Sequence, residues 1–329
     1  MNKDDINNIS YIYIIHMSKT SQPPQQSPPQ TLLNQMLETY LENVLKQHKK
    51  NESLELEAKF GTKGIKPITR IDYDNVVKKL KSSGFTLDTN NYLLRIQNEF
   101  MDLKTGLTQM SNIRAEINSL HDAQIYCKTN AIEEIPNEIK FVQKQYYKTK
   151  DNTKSIFPAN FDDFNFRVTL NNEVVINKNS DMLQSIISNW KNSKKVFRYM
   201  NRYSFTHPQF PFIVDLSIVK ESDRKGGRFP VAQYTIQDSG VFEAVERYEI
   251  EIECINSKVG PGTNFATTAA LNQAIKQMVK IILAGLQETN FPISYKEQAE
   301  VQQKYMKLLW HKDDKEPHEY MKVTPKNFL

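Results

Sequence analysis

Hydrophobic and polar positions alternate along this chain with two distinct periods. In LELEAKF, Leu54–Phe60, the apolar Leu54, Leu56 and Ala58 interleave with Glu55, Glu57 and Lys59. Period two is strand spacing, so the charged set shares one face and the apolar set the other. YEIEIEC, Tyr248–Cys254, repeats the pattern: Glu249, Glu251 and Glu253 oppose Tyr248, Ile250, Ile252 and Cys254. Further β segments are expected in YLLRIQNEF (92–100), SNIRAEINSL (111–120) and AQIYCKT (123–129). DDFNFRVTLNNEVVI, Asp162–Ile176, reads as a strand pair or one long strand. VFRYMNRYSFTH and PFIVDLSIVK read as two strands joined by a turn at Pro208 and Pro211, with His207 a turn residue.

The helical period appears elsewhere. Thr31–Lys50 carries Leu32, Leu33, Met36, Tyr40, Leu41, Val44 and Leu45 on one stripe, with Thr31 as a cap. Asp72–Ser83 predicts a short helix closed by Gly84, and Asp181–Lys195 another with Met182, Ile186, Ile187 and Trp190 on one side. Two more are expected at Ala266–Gln287 and Ser294–Leu309. Many strands with helices inserted and appended predict an α+β fold around a mostly antiparallel sheet or barrel.

The ends differ from this body. Residues 1–30 are rich in proline and glutamine with nothing to bury, which predicts a disordered tail. Residues 31–309 form the expected domain, and 310–329, polar with Pro317 and Pro325, read as a linker toward a further C-terminal domain. A hydrophobic content of 39%, with Phe 17 and Tyr 15, supports a large core over that body. The net charge of +5 permits a polyanionic partner without demanding one. Two distant cysteines, Cys127 and Cys254, make neither a disulfide framework nor a CxxC site, so an intracellular reducing compartment is expected. No run approaches the roughly 18 apolar residues of a membrane span, and no membrane partner is expected.

The glutamates raise the chemical question. Carboxylates two apart on a strand lie roughly 6 to 7 Å from each other and repel by about 2 kcal/mol at an effective dielectric near 20. On a solvated face salt removes most of that cost, so two acidic surface strands are one reading. Other strand segments carry basic residues at the same spacing: Arg114 beside Glu116, Lys128, Arg167, Arg198 and Arg202. If the sheet closes with its polar face inward, the lumen sets an acidic patch against a basic one. Glutamate oxygens take hard cations such as Mg²⁺ or Mn²⁺, and Arg and Lys grip phosphate oxygens. A metal flanked by both suits phosphoryl transfer.

LELEAKF resembles the ExExK/R strand of the triphosphate tunnel metalloenzymes. FRVTLNNE resembles the strand that begins with a basic residue and ends in a glutamate, here Glu173. NRYSF resembles K-x-R-x-S-F/Y, VDLSIVK resembles R-x-D-x-T with Asp215 and Ser217, and YEIEIEC resembles E-x-E-x-E. The order of motifs over Leu54–Ile255 is similar to that of the metal-dependent RNA 5′-triphosphatases of mRNA capping, in particular those of large DNA viruses. Two positions depart: Met200 stands where that pattern has lysine, with Arg198 as a substitute, and Ile213 where it has arginine.

The resemblance implies an eight-stranded antiparallel β-barrel, a triphosphate tunnel with a hydrophilic lumen, covered by helices. It implies hydrolysis of the γ-phosphate from a 5′-triphosphate RNA end, with Mn²⁺ or Mg²⁺ held by Glu55, Glu57 and Glu253. Glu249 and Glu251 are then expected to hold the attacking or metal-bound water, and Arg167, Arg202 and Arg114 to meet phosphate, with Glu173 essential. Lys59 either contacts phosphate or pairs with a neighbouring glutamate, and Asp215 orients a basic residue. Tyr146, Tyr147, Phe161 and Phe164 either stack a nucleobase or pack. Cys254 is expected in the core. The resemblance further implies fusion to a guanylyltransferase domain and a place in a cytoplasmic viral factory or virion. The alternatives are a tunnel hydrolase of free NTP, inorganic triphosphate or thiamine triphosphate, or a silent scaffold that binds RNA ends.

Overall fold

The computed structural model describes residues 28–44, 52–61, 66–101, 106–148, 156–227 and 229–310. Of the tail expected over residues 1–30, residues 1–27 lie outside the described residues, as do the basic run after Leu45 and the linker after Trp310, while Pro29 and Gln30 are helical rather than disordered.

Nine strands form one antiparallel sheet: β1 Glu52–Phe60, β2 Thr86–Met101, β3 Thr108–Ile117, β4 Lys140–Tyr146, β5 Ala159–Phe161, β6 Phe166–Val175, β7 Lys195–Thr206, β8 Phe212–Glu221 and β9 Arg247–Cys254. The strand order is β1-β9-β8-β7-β2-β3-β4-β6, and β6 pairs back onto β1 from Glu52↔Val174 to Phe60↔Phe166. Eight strands therefore close into a barrel, with short β5 beside β6 at one rim. Closure leaves the eight no free edge.

The apolar sides face outward and the charged sides inward. Leu54, Leu56, Ala58, Val168, Leu170, Val214, Leu216, Ile250 and Ile252 are buried beneath three helices: α1 Pro29–Val44, α2 Arg70–Ser82 and α5 Thr268–Leu286. Leu94, Ile96, Ile113, Ala115, Phe141 and Phe197 form a second core under α3 Leu120–Thr129 and α4 Asp181–Ser188, around Trp190 and Tyr126. α6 Tyr295–Trp310 follows α5. Among the described residues no helix is long and apolar enough to cross a membrane.

Local signals explain most helix ends. Thr69 and Asp72 close a capping box on α2. The chain leaves α2 through Gly84 at φ +87, as expected for a residue that must enter left-handed space. Where α2 crosses α5, a Cβ on Gly285 would lie 2.9 Å from Val76 Cα, so the glycine permits the close approach.

Three expectations are corrected. AQIYCKT is the helix α3, not a strand: Ser119 caps it, Asn130 ends it at φ 51, and Ala123 and Tyr126 turn inward three residues apart. Lys128 therefore lies on a helix and leaves the proposed basic face. α1 begins at Pro29, so Thr31 lies inside it, and α4 stops at Ser188 before a 3₁₀ turn at Trp190.

Candidate active site

The polar strand faces surround one cavity of about 680 Å³ inside the barrel. Six carboxylates line it: Glu55, Glu57, Glu116, Glu173, Glu251 and Glu253. Seven cations line it too: Lys59, Arg95, Arg114, Lys144, Arg167, Arg198 and Arg202. Strand register explains the gathering. Glu57 pairs with Glu253 across β1 and β9, while Lys59 faces Glu251 on one side and Arg167 on the other. Arg202 faces Ser217, and Arg95 faces both Glu116 and Arg198.

Ion pairs divide the wall into groups. Lys59 Nζ lies 3.2 Å from Glu249 and 2.5 Å from Glu251. Arg198 also contacts Glu249, and reaches Glu221 at 3.1 Å. Arg202 pairs with buried Asp215 at 3.0 Å, and Ser204 donates to that carboxylate at 2.6 Å. Asp215 thus lies against an arginine of the lumen wall. Arg114 bridges Glu116 at 2.7 Å and Glu173 at 3.0 Å, and Arg95 joins Glu116 at 2.8 Å.

Of the expected residues, Glu55, Glu57, Lys59, Arg114, Arg167, Glu173, Arg202, Glu251 and Glu253 line the cavity. Glu249 and Asp215 do not; both serve as partners of basic side chains behind the wall. Arg198 lines it, whereas Met200 is fully buried against Leu93 and Val219. Among the four aromatic candidates none lines the cavity: Phe161 stacks on Phe166 at 4.6 Å, Phe164 and Tyr147 pack on the core, and Tyr146 is exposed. Cys254 is buried in the core, and His207 accepts a turn hydrogen bond from Gln209 N.

Two cations escaped the sequence reading. Lys144 on β4 lies 2.6 Å from Glu55 and 2.9 Å from Glu57. Arg95 on β2 joins the Glu116 group. Arg95 sits in a recognised strand segment at lumen spacing, a usable signal. KFVQKQY carries no charge alternation that would mark Lys144; its position follows from the pairing Lys144↔Glu173.

Desolvation sets the acids apart. Burial, then the Asp215 charge, pushes the Glu253 carboxyl up to about 7. Burial also raises Glu55, which shares a hydrogen bond with Glu173, against the attraction of Lys144. Glu251, by contrast, is held ionised, well below the usual range, by Lys59 and then Arg202 despite its burial. Glu57 accepts from Thr169 and Asn171, each at 3.0 Å.

The donor set suits a hard divalent cation in its chemistry: Glu55, Glu57 and Glu253 are all carboxylates, and burial drives two of them toward the neutral acid. Among the described residues they are not drawn together as a ligand cage. Lys144 lies between two of them. For an anion, Arg167 Nε is buried and has no hydrogen-bond partner in the wall.

No family model and no curated protein sequence matches this chain. Solved structures do match. The chain is similar to the Mimivirus capping enzyme triphosphatase, with 16% identity and a TM-score of 0.45, over 76% of this chain and 93% of that one. It is also similar to the S. pombe RNA triphosphatase, with 12% identity and a TM-score of 0.36, over 90% and 97% of the two chains.

Proposed function

We propose that this chain is a metal-dependent hydrolase that removes the γ-phosphate from the 5′-triphosphate end of nascent RNA, the first step of cap formation. The observation that carries the reading is the lumen: six carboxylates and seven cations share one cavity of about 680 Å³. Burying so many charges is costly unless a ligand uses them, and a polyphosphate with its metal carries both signs.

Glu55, Glu57 and Glu253 would hold the Mn²⁺ or Mg²⁺. When bound, the ion neutralises charge on the transferring phosphoryl group. The chain's own residues do the rest. Arg167, with its unpartnered Nε, and Arg202, held in place by Asp215, neutralise the phosphate oxygens. Glu251, kept ionised, accepts a hydrogen bond from the attacking water and orients it for in-line displacement. Arg114 fixes Glu173 beside Glu55. Glu249 acts through Lys59 and Arg198 rather than on the water. The same reading makes a guanylyltransferase the partner, and a cytoplasmic viral factory or virion the place of work.

The test is γ-phosphate release from triphosphate-ended RNA with Mn²⁺, beside ATP and inorganic triphosphate. The expected result is release from RNA that stops in excess EDTA and falls at least about a hundredfold in Glu57→Gln. Full activity in EDTA overturns the metal centre. Release from ATP or inorganic triphosphate alone assigns the tunnel to small substrates, and no release from any of the three makes it a scaffold.

A further inference from the structure

Lys144 stands among the carboxylates that the proposed metal centre needs. Its Nζ lies 2.6 Å from Glu55 and 2.9 Å from Glu57, and it approaches them from β4, on the far side of β6. Among the described residues no other cation lies within ion-pair distance of either carboxylate, and none lies that close to Glu253. The ammonium occupies a place that the oxygens of a ligand set would have to give to a metal ion. A lysine carries one charge on a flexible four-carbon stem, so it can hold such a place and leave it.

We propose that Lys144 is an exchangeable internal cation: it ties Glu55 to Glu57 in the metal-free protein, yields that position to a divalent ion, and is thereby released to the polyphosphate in the lumen. The inference rests on the metal-centre reading above. Its physical content is a competition. The carboxylate oxygens cannot serve the ammonium and the metal together, so the apparent metal affinity is reduced by the fraction of molecules in which Lys144 is engaged. The competition has a second face. A lysine displaced by metal is a new donor for phosphate, so metal and polyphosphate must strengthen each other's binding by the same factor. Lys144 is a positioning residue in the first state and a substrate-binding residue in the second.

The experiment is calorimetric titration of Mn²⁺ into the metal-free chain, for wild type, Lys144→Met and Lys144→Gln, with and without tripolyphosphate. Without tripolyphosphate, the neutral variants should bind Mn²⁺ at least about tenfold more tightly than wild type. With tripolyphosphate, the wild type should gain Mn²⁺ affinity and the variants should gain much less. Equal or weaker Mn²⁺ binding by the folded variants overturns the exchange while leaving the metal centre standing. If neither wild type nor variants bind Mn²⁺, the metal centre falls and the exchange with it. A readout on the wild type is independent of any variant's folding: acylation of Lys144, followed by mass spectrometry, should be slow in EDTA and faster with Mn²⁺. An unchanged rate overturns the proposal.

Discussion

Glu253 should weaken the metal-free protein, and removing its charge should stabilise it. The carboxylate lies in the lumen wall without an ion-pair partner among the described residues, and its pKa rises from the ordinary 4.5 to about 7, through burial first and Asp215 second. The sign follows from proton binding. Between these two values the folded state holds a proton that the unfolded state has released, so stability falls as pH rises through this window. A rise of 2.5 pH units, from 4.5 to about 7, at about 1.4 kcal/mol per unit gives about 3 kcal/mol lost above pH 7. Glu253→Gln keeps the shape and removes the titration. In EDTA at pH 8 the variant should therefore exceed wild type by about 3 kcal/mol, roughly 5 to 10 °C in Tm for a chain of this size. At pH 5 its advantage should shrink below about 1 kcal/mol, because most folded and many unfolded molecules are then protonated. The assay is thermal unfolding by circular dichroism at both pH values. With saturating Mn²⁺ the order should reverse, since the wild type alone keeps the full ligand set. A variant that melts at or below wild type in EDTA at pH 8 would refute the reasoning, because it would mean that the carboxylate is already well solvated or paired.

Arg202→Ala should cost about 3 to 5 kcal/mol in a urea melt, because among the described residues it leaves buried Asp215 with Ser204 as its remaining hydrogen-bond partner; adding Asp215→Asn should recover part of that loss, and additive losses would argue against the pair. Gly285→Ala should destabilise by about 1 to 3 kcal/mol, since the new methyl meets the α2 backbone at Val76, and an unchanged Tm would show that the helices separate freely. Cys127→Ser and Cys254→Ser should each retain phosphate release per folded molecule, as neither sulfur lines the cavity; a dead Cys127→Ser enzyme would refute a purely acid-lined mechanism.

The barrel's strands were legible because both faces carry strong and opposite signals. Leu54, Leu56 and Ala58 read as one surface and Glu55, Glu57 and Lys59 as another, whichever side is solvent. That the charged side is the inside is not a local property. It depends on β6 returning to β1, a pairing of residues more than a hundred apart that no window contains. α3 misled for a related reason. Ala123, Ile125 and Cys127 alternate with polar neighbours, but only Ala123 and Tyr126 are buried among residues 123–129, and the Ser119 cap decides the outcome. Four of the six lumen carboxylates were readable because they come from two short strands of repeated glutamate, β1 and β9. The basic half is scattered over β1, β2, β3, β4, β6 and β7, with two residues only on β7, so Arg95 and Lys144 join it only through register.

The closure of β1 onto β6 and β9 has a consequence for the order in which a ribosome delivers this barrel. β1 emerges early, but its partners Val174 to Phe166 follow more than a hundred residues later, and Glu253 arrives 196 residues after Glu57 (253 − 57). At about 5 to 20 residues per second, one edge of the strand waits roughly 10 to 40 seconds for its neighbour. During that interval its apolar side lacks α5 as well, because that helix is made after β9. Closure therefore waits until β9 has been made, and until then the nascent chain carries an alternating strand with open edges. The glutamates that later crowd the lumen face water in the meantime, and like charges on those edges oppose pairing with another nascent copy. Ribosome-bound chains stalled before β9 should be cleaved readily by protease within β1, and chains stalled well past α5 should resist; equal resistance at both points would place closure earlier.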